Sequence, residues 1–222
     1  MLFKTLSIKK VFHVGTMNPK LRSSFNIEQA KGLSISTNPR EWIRIGKGQI
    51  AGEFNSLFNP NARFALYNKS KELINTLSEY ALDKGLVMKK QKAAVRYYDD
   101  EIEEEIIEYF ESMSDAFDNF DEDADIENVE VLIPTNKLHK LMQPIRVDEV
   151  NPFRALFSLY VSEKYSDYDG VWHNPQEICV LKYQAPAGSI FDHKLKDWTQ
   201  HIIEESELPD LIEEHIPKIL TY

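Results

Sequence analysis

Residues Asp99–Glu130 read DDEIEEEIIEYFESMSDAFDNFDEDADIENVE, and 16 of these 32 residues are Asp or Glu while none is Lys or Arg. Within the run, Ile102, Ile106, Tyr109, Phe110 and Met113 recur at helical spacing. The front of the segment is therefore expected to be an amphipathic helix, with Phe117 and Phe120 prolonging its apolar stripe. Asp121–Asp125 (DEDAD) then reads as a loop. On this reading the fold is one α+β domain over residues 1–222, carrying an acidic helical insertion at about 99–130. Asp121, Asp123 and Asp125 alternate as calcium ligands do. An EF-hand is excluded, because Ile126 and Leu132 stand where its glycine and its glutamate belong.

The segment also reinterprets the total charge. The chain of 222 residues has 26 Lys and Arg against 36 Asp and Glu, a net charge of −10. Outside Asp99–Glu130 the 26 cations face 20 carboxylates, a net +6. The protein is a mildly basic body with one strongly acidic element. The overall charge of −10 argues against wrapping nucleic acid with the whole surface, and no direct nucleic-acid contact is expected. It leaves two roles open: the acidic run is a solvated face, or it engages a basic protein partner much as a phosphate backbone would.

Working outward, Lys10–Val14 (KVFHV) and Gly32–Ser36 (GLSIS) alternate as strands do. Thr37-Asn38-Pro39 reads as a helix start, with Trp42, Ile43 and Ile45 before Gly46. Phe64–Tyr67 is a further strand. Ser70 caps and Gly85 closes a helix carrying Leu73, Ile74, Leu77 and Ala81 on one face. Strands follow at Lys92–Tyr98 and Glu130–Ile133. A helix capped by Asp148 or Asn151 runs through Phe153, Leu156, Phe157, Tyr160 and Val161. Asp169–Trp172 and Glu177–Tyr183 read as strands. The tail from Lys194, with Trp198, Ile202 and Ile203, reads as a helix broken at Pro209, followed by a short helix with Leu211, Ile212 and Ile216. The order predicts a mixed or antiparallel, split sheet with packed helices.

Several chemistries lack their residues. The single Cys179 excludes an internal disulfide, and between Ile178 and Val180 it reads as an inert strand thiol. Histidines 13, 139, 173, 193, 201 and 215 form no zinc spacing, so no metal is expected. Gly46-Lys47-Gly48 with Gly52 lacks the dinucleotide-loop spacing and reads as a turn. No run of 18 apolar residues crosses a membrane, and Met1–Lys10 lacks an export core, so a cytoplasmic protein is expected.

Three segments carry a more specific pattern. Val11-Phe12-His13-Val14-Gly15-Thr16 sets a histidine on an early strand. Gly32-Leu33-Ser34-Ile35-Ser36-Thr37 places Ser34 and Ser36 on one strand face. Tyr168-Asp169-Gly170-Val171-Trp172 precedes Glu177 near the C-terminus. This order resembles the ADP-ribosyltransferase-like family, in which a nicotinamide dinucleotide lies in a cleft of a split sheet. The resemblance implies NAD as cofactor, with His13, Gly15, Thr16, Ser34 and Ser36 as its binding residues. It implies that Glu177 stabilises an oxocarbenium-like ribose as ADP-ribose is transferred or NAD is cleaved. Read without the resemblance, His13 is a strand histidine bonded locally. Ser34 and Ser36 are then the outer face of a half-buried strand, and Glu177 is a strand-start residue in water. The alternative function is a non-enzymatic protein whose acidic segment binds a basic partner.

Overall fold

Alternation along Lys10–Val14 and Gly32–Ser36 does produce strands, and they lie in the middle of a large sheet. The computed structural model describes residues 2–15, 17, 32–37, 54–99, 103–120, 125–142, 152–173 and 187–203. These form two compact units, residues 1–80 with 139–222, and residues 81–138. The fold is α+β.

In the first unit, β1 (Lys4–Leu6), β2 (Lys10–Val14), β3 (Gly32–Ser36), β4 (Phe54–Phe58) and β5 (Phe64–Leu66) are followed by the helix α1 (Lys71–Asp83), whose last turn enters the second unit. The helix α4 (Pro152–Lys164), β9 (Gly170–Trp172), β10 (Ala187–Phe191), a 3₁₀ turn (Asp192–Asp197) and β11 (Thr199–Ile203) complete it. The eight strands run in the order β1-β5-β9-β10-β3-β2-β4-β11. Among the described residues only β5 and β9 pair in parallel, so the sheet is mixed. Val11, Leu33, Ile35, Leu57, Phe64, Trp172, Ile190 and Trp198 form its main core cluster. Helix α4 packs beside β9 over the other face, with Phe157 against Tyr67.

Two glycines let β9 and β10 approach. A Cβ at Gly170 would lie 1.8 Å from the Ser189 carbonyl oxygen, and one at Gly188 would lie 2.4 Å from the Trp172 ring. Asp169, just before β9, locks the strand's entry. Its carboxylate accepts the Arg63 backbone N–H at 2.8 Å and the Asn59 side-chain amide at 3.3 Å.

Helix α1 ends as its sequence signals predict. Ser70 Oγ accepts the Leu73 N–H at 3.3 Å at the start. At the far end Gly85 takes φ +62°, while Leu86 N–H donates to Ala81 and Gly85 N–H to Leu82. That pair of bonds is a Schellman motif, which an L side chain at Gly85 would strain.

The second unit overturns the acidic helix. Val87–Asp99 (β6), Glu104–Phe110 (β7) and Asp125–Pro134 (β8) form an antiparallel sheet in the order β7-β6-β8. Among the described residues of the acidic run only Met113–Phe117 (α2) is helical, and Asn136–Met142 (α3) follows the sheet. As a helix, Glu104, Glu105 and Glu108 would stack like charges three and four residues apart. As strands, the carboxylates instead meet the cations of β6. Phe110, Met113, Phe120 and Ile126 pack with Tyr97 over Ala93, Val95 and Ala116 on one sheet face.

The tail is also corrected. Residues from Lys194 complete a 3₁₀ turn and then form β11, not a helix, because Thr199–Ile203 pairs residue for residue with β4. Ile203 is buried with Phe12 and Phe54. The helix expected after Thr37, the strand at Glu177–Tyr183, Cys179 and the last short helix lie outside the described residues.

Candidate functional site

Residues facing each other across an antiparallel ladder share a sheet face, and neighbours along a strand alternate. Ser34 faces Ser189, and Ser36 faces Phe12. Ser34 and Ser36 therefore share a face, as their spacing predicts. His13 faces Asn55, and Val11 faces Leu57, so His13 belongs to the opposite, core-lined face. The structure separates the two groups that a single nicotinamide cleft would combine.

His13 is nevertheless tied to the serine strand through its main chain. β2 and β3 share one facing pair, and the His13 Nδ1–H supplies another link by donating to the Ser34 carbonyl at 2.7 Å. Asn55 donates to the Gly15 carbonyl at 3.1 Å and accepts from Gln200 at 2.6 Å. His13, Gly15, Ser34 and Ser36 are all buried. Thr16 and Glu177 lie outside the described residues.

On the serine face, polar groups gather that the sequence did not single out together. Ser189 sits opposite Ser34. Alternation carries Tyr67 and His173, each one residue past a strand, to the same side, and their rings lie 6.4 Å apart. Helix α4 contributes Arg154 and Ser158, four residues apart on one helical face. His173, Arg154, Ser158 and Ser189 are at most 6% exposed. Among the described residues, neither ring nitrogen of His173 and no partner for the Ser189 hydroxyl completes a hydrogen bond. Burial pushes the His173 pKa down to about 3, and the Arg154 charge adds to the shift. The signal missed in the sequence is the Arg154/Ser158 pair in the otherwise apolar stretch Phe153–Val161.

The second unit concentrates charge. Residues 81–138 contain 17 Asp and Glu against 6 Lys and Arg, a net −11, whereas the first unit carries +1. Arg96 on β6 is held by Glu105 at 3.9 Å and by Glu127 at 3.6 Å. Lys89 pairs with Glu130 at 2.6 Å, while Lys90 and Lys92 both reach Glu111. Hydrogen bonds from these two lysines hold the Glu111 carboxyl below the usual carboxylate range. The Glu108 carboxylate accepts from the Tyr97 hydroxyl at 2.6 Å and raises that phenol's pKa.

Five ion pairs leave a surplus of carboxylates. Glu103, Glu104, Asp115, Asp118 and Asp125 have no ion-pair partner among the described residues. The sheet face opposite the Ala93, Val95 and Ala116 cluster is open. There the register groups Tyr98 with Glu105, Arg96 with Ile107 and Asp125, Ala94 with Tyr109 and Glu127, and Met88 with Ile133. Tyr98 is 61% exposed and Tyr109 54%, with Met88 and Ile107 also exposed. Rings, aliphatic groups and carboxylates alternate across one surface.

Among the described residues no group of His, Cys, Asp and Glu is placed to hold a metal ion, and no helix is long and apolar enough to cross a membrane. Comparison of the chain with protein-family models, with curated proteins and with solved structures finds no match.

Proposed function

We propose that this chain is a non-enzymatic interaction protein, and that the open face of the 81–138 sheet receives a basic segment of a protein partner. The carrying observation is the co-location of the chain's negative excess with exposed Tyr98, Ile107, Tyr109 and Met88 on one three-stranded sheet. Carboxylates at the rim steer a cationic chain toward the sheet. Aromatic and aliphatic groups between them supply the area that charge alone does not. The geometry favours an extended partner, because the three successive rows at Tyr98, Arg96 and Ala94 each present an apolar group beside a carboxylate.

The test is a fluorescence-anisotropy titration of the full chain with a short labelled peptide alternating Arg with Val. A peptide with Gln in place of Arg is the control. Binding of the cationic peptide alone, weakening with added salt, is expected. Replacing Glu105→Gln, Asp125→Asn and Tyr109→Ser together is expected to weaken it by about tenfold or more. Equal affinity of both peptides, or no effect of the triple substitution, refutes the reading.

A second reading keeps the ADP-ribosyltransferase-like resemblance and NAD. What favours it is that Ser34 and Ser36 share their face with Arg154, a cation suited to a pyrophosphate. Calorimetric titration with NAD tests it on the wild type, Arg154→Lys and Glu177→Gln. Heat lost in the Arg154 variant supports the reading; absence of heat at millimolar NAD refutes it.

A further inference from the structure

Strand β7 (EEIIEYF) is an end strand of the 81–138 sheet, whose order is β7-β6-β8. It pairs with β6 in unbroken register, from Glu104 opposite Asp99 to Phe110 opposite Ala93. An antiparallel strand turns alternate main-chain N–H and C=O groups toward its neighbour and the others away. About half of the main-chain groups of β7 therefore point outward, and among the described residues none of these meets a backbone partner. Glu104, Glu105, Ile107, Glu108 and Tyr109 are exposed. Edge strands are ordinarily protected by a lysine, a proline, a bulge or a covering segment. β7 has no lysine, no proline and no bulge, and its Ile, Tyr and Phe residues favour the strand. What guards it is Glu104, Glu105 and Glu108. A second copy of the same edge would bring three more carboxylates and no cation, so these residues repel self-pairing and admit a strand of opposite charge. The other end strand, β8, is less open: it is half-buried from Val131 onward and closes on Pro134.

We infer that a basic segment of a partner protein joins the outer edge of β7 as a fourth strand of this sheet. The inference rests on the interaction role proposed above and specifies how the partner is held. Main-chain hydrogen bonds along β7 supply affinity, and Arg or Lys side chains on the added strand supply selectivity. Side chains of an added strand alternate between the two sheet faces. One set lies beside Glu105, Ile107 and Tyr109 on the open face, and the other beside Glu104 and Glu108 on the opposite face. A partner resting on the open face alone does not reach Glu104.

The experiment titrates the full chain with a labelled peptide of Arg-Arg-Val-Val repeats, which carries arginine on both faces of a strand. The same peptide N-methylated at its two central residues is the comparison. Successive N–H groups point to opposite edges, so one of the two methyl groups blocks β7 whichever way the peptide lies. Charge and side chains are unchanged. The methylated peptide is expected to bind about tenfold more weakly or worse. Glu104→Gln is expected to weaken the parent peptide several-fold, and Asp118→Asn, which removes an equal charge at the end of α2, much less. Hydrogen exchange of the ¹⁵N-labelled protein is expected to slow at alternate amides along β7 when the parent peptide is bound. Equal binding of the two peptides, or unchanged exchange along β7, overturns strand addition while leaving a basic partner in place. Slowing of the same amides with protein concentration alone assigns the edge to a second copy and also overturns it. No binding of the parent peptide overturns both readings.

Discussion

Acidification is expected to destabilise this protein through His173. The ring is 2% exposed, and its pKa is pushed to about 3 by burial and by the nearby Arg154 charge. In the unfolded chain the same group takes up its proton near 6.5. The folded pKa is depressed, so the unfolded state binds more protons throughout the window between these values. Stability is fully present above pH 6.5 and is lost as pH falls toward 3, by about 1.4 kcal/mol per pH unit. Between about pH 7.5 and pH 5 the loss amounts to roughly 2 kcal/mol. Asp169 acts in the opposite sense: burial raises its pKa, so protonation at low pH relieves a penalty. Urea unfolding of the wild type and of His173→Gln at a series of pH values isolates the histidine, because Asp169 is common to both. The wild type is expected to lose about 2 kcal/mol more than the variant over that range. Parallel pH profiles refute the reasoning. If the variant does not fold, the ¹⁵N shifts of the His173 ring decide: a ring still neutral at pH 5 supports the account, and a protonated one contradicts it.

Further outcomes follow from the same geometry. Gly170→Ala drives a Cβ into the Ser189 carbonyl and is expected to prevent pairing of β9 with β10, seen as loss of cooperative unfolding. Leu57→Ala, at a fully buried core position, is expected to cost about 2–5 kcal/mol by urea unfolding. Replacing Lys90 and Lys92 by Ala returns the Glu111 carboxyl toward its ordinary range in an NMR titration, since both lysines donate to it. Ser70→Ala removes the cap of α1 and is expected to cost about 1 kcal/mol.

The legible parts of the fold were those whose cause is local. Ser70 and Gly85 bracket α1 because a cap and a left-handed glycine act within one turn. Alternation exposed β2 and β3. The stretch around Ile106 failed for the opposite reason. Its apolar spacing satisfies a helix, yet the deciding partners are Lys90, Lys92 and Arg96 on a neighbouring strand. β10, which begins Ala-Gly-Ser, has too little side chain to signal a strand, and its place rests on contact with Gly170 and Trp172. The site shows the same division. That Ser34 and Ser36 share a face follows from strand geometry, while the opposite placement of His13 depends on the pairing of Phe12 with Ser36. Arg154 and His173 meet only through the packing of α4, which no short motif encodes.

The charge asymmetry read from Asp99–Glu130 survives in sharper form. The negative excess resides in the 81–138 unit, where Glu104, Glu105, Glu108, Asp125, Glu127 and Glu130 stand on strands, and part of it is answered by the unit's own lysines and arginine. The measurement that bears most directly on the proposed role is an amide-shift map of the ¹⁵N-labelled full chain titrated with the Arg-Val peptide. The account predicts shifts concentrated at Ala94, Arg96, Ile107, Tyr109 and Glu127, fading as salt is raised. Shifts confined to residues of the first unit, or none at all, would contradict it.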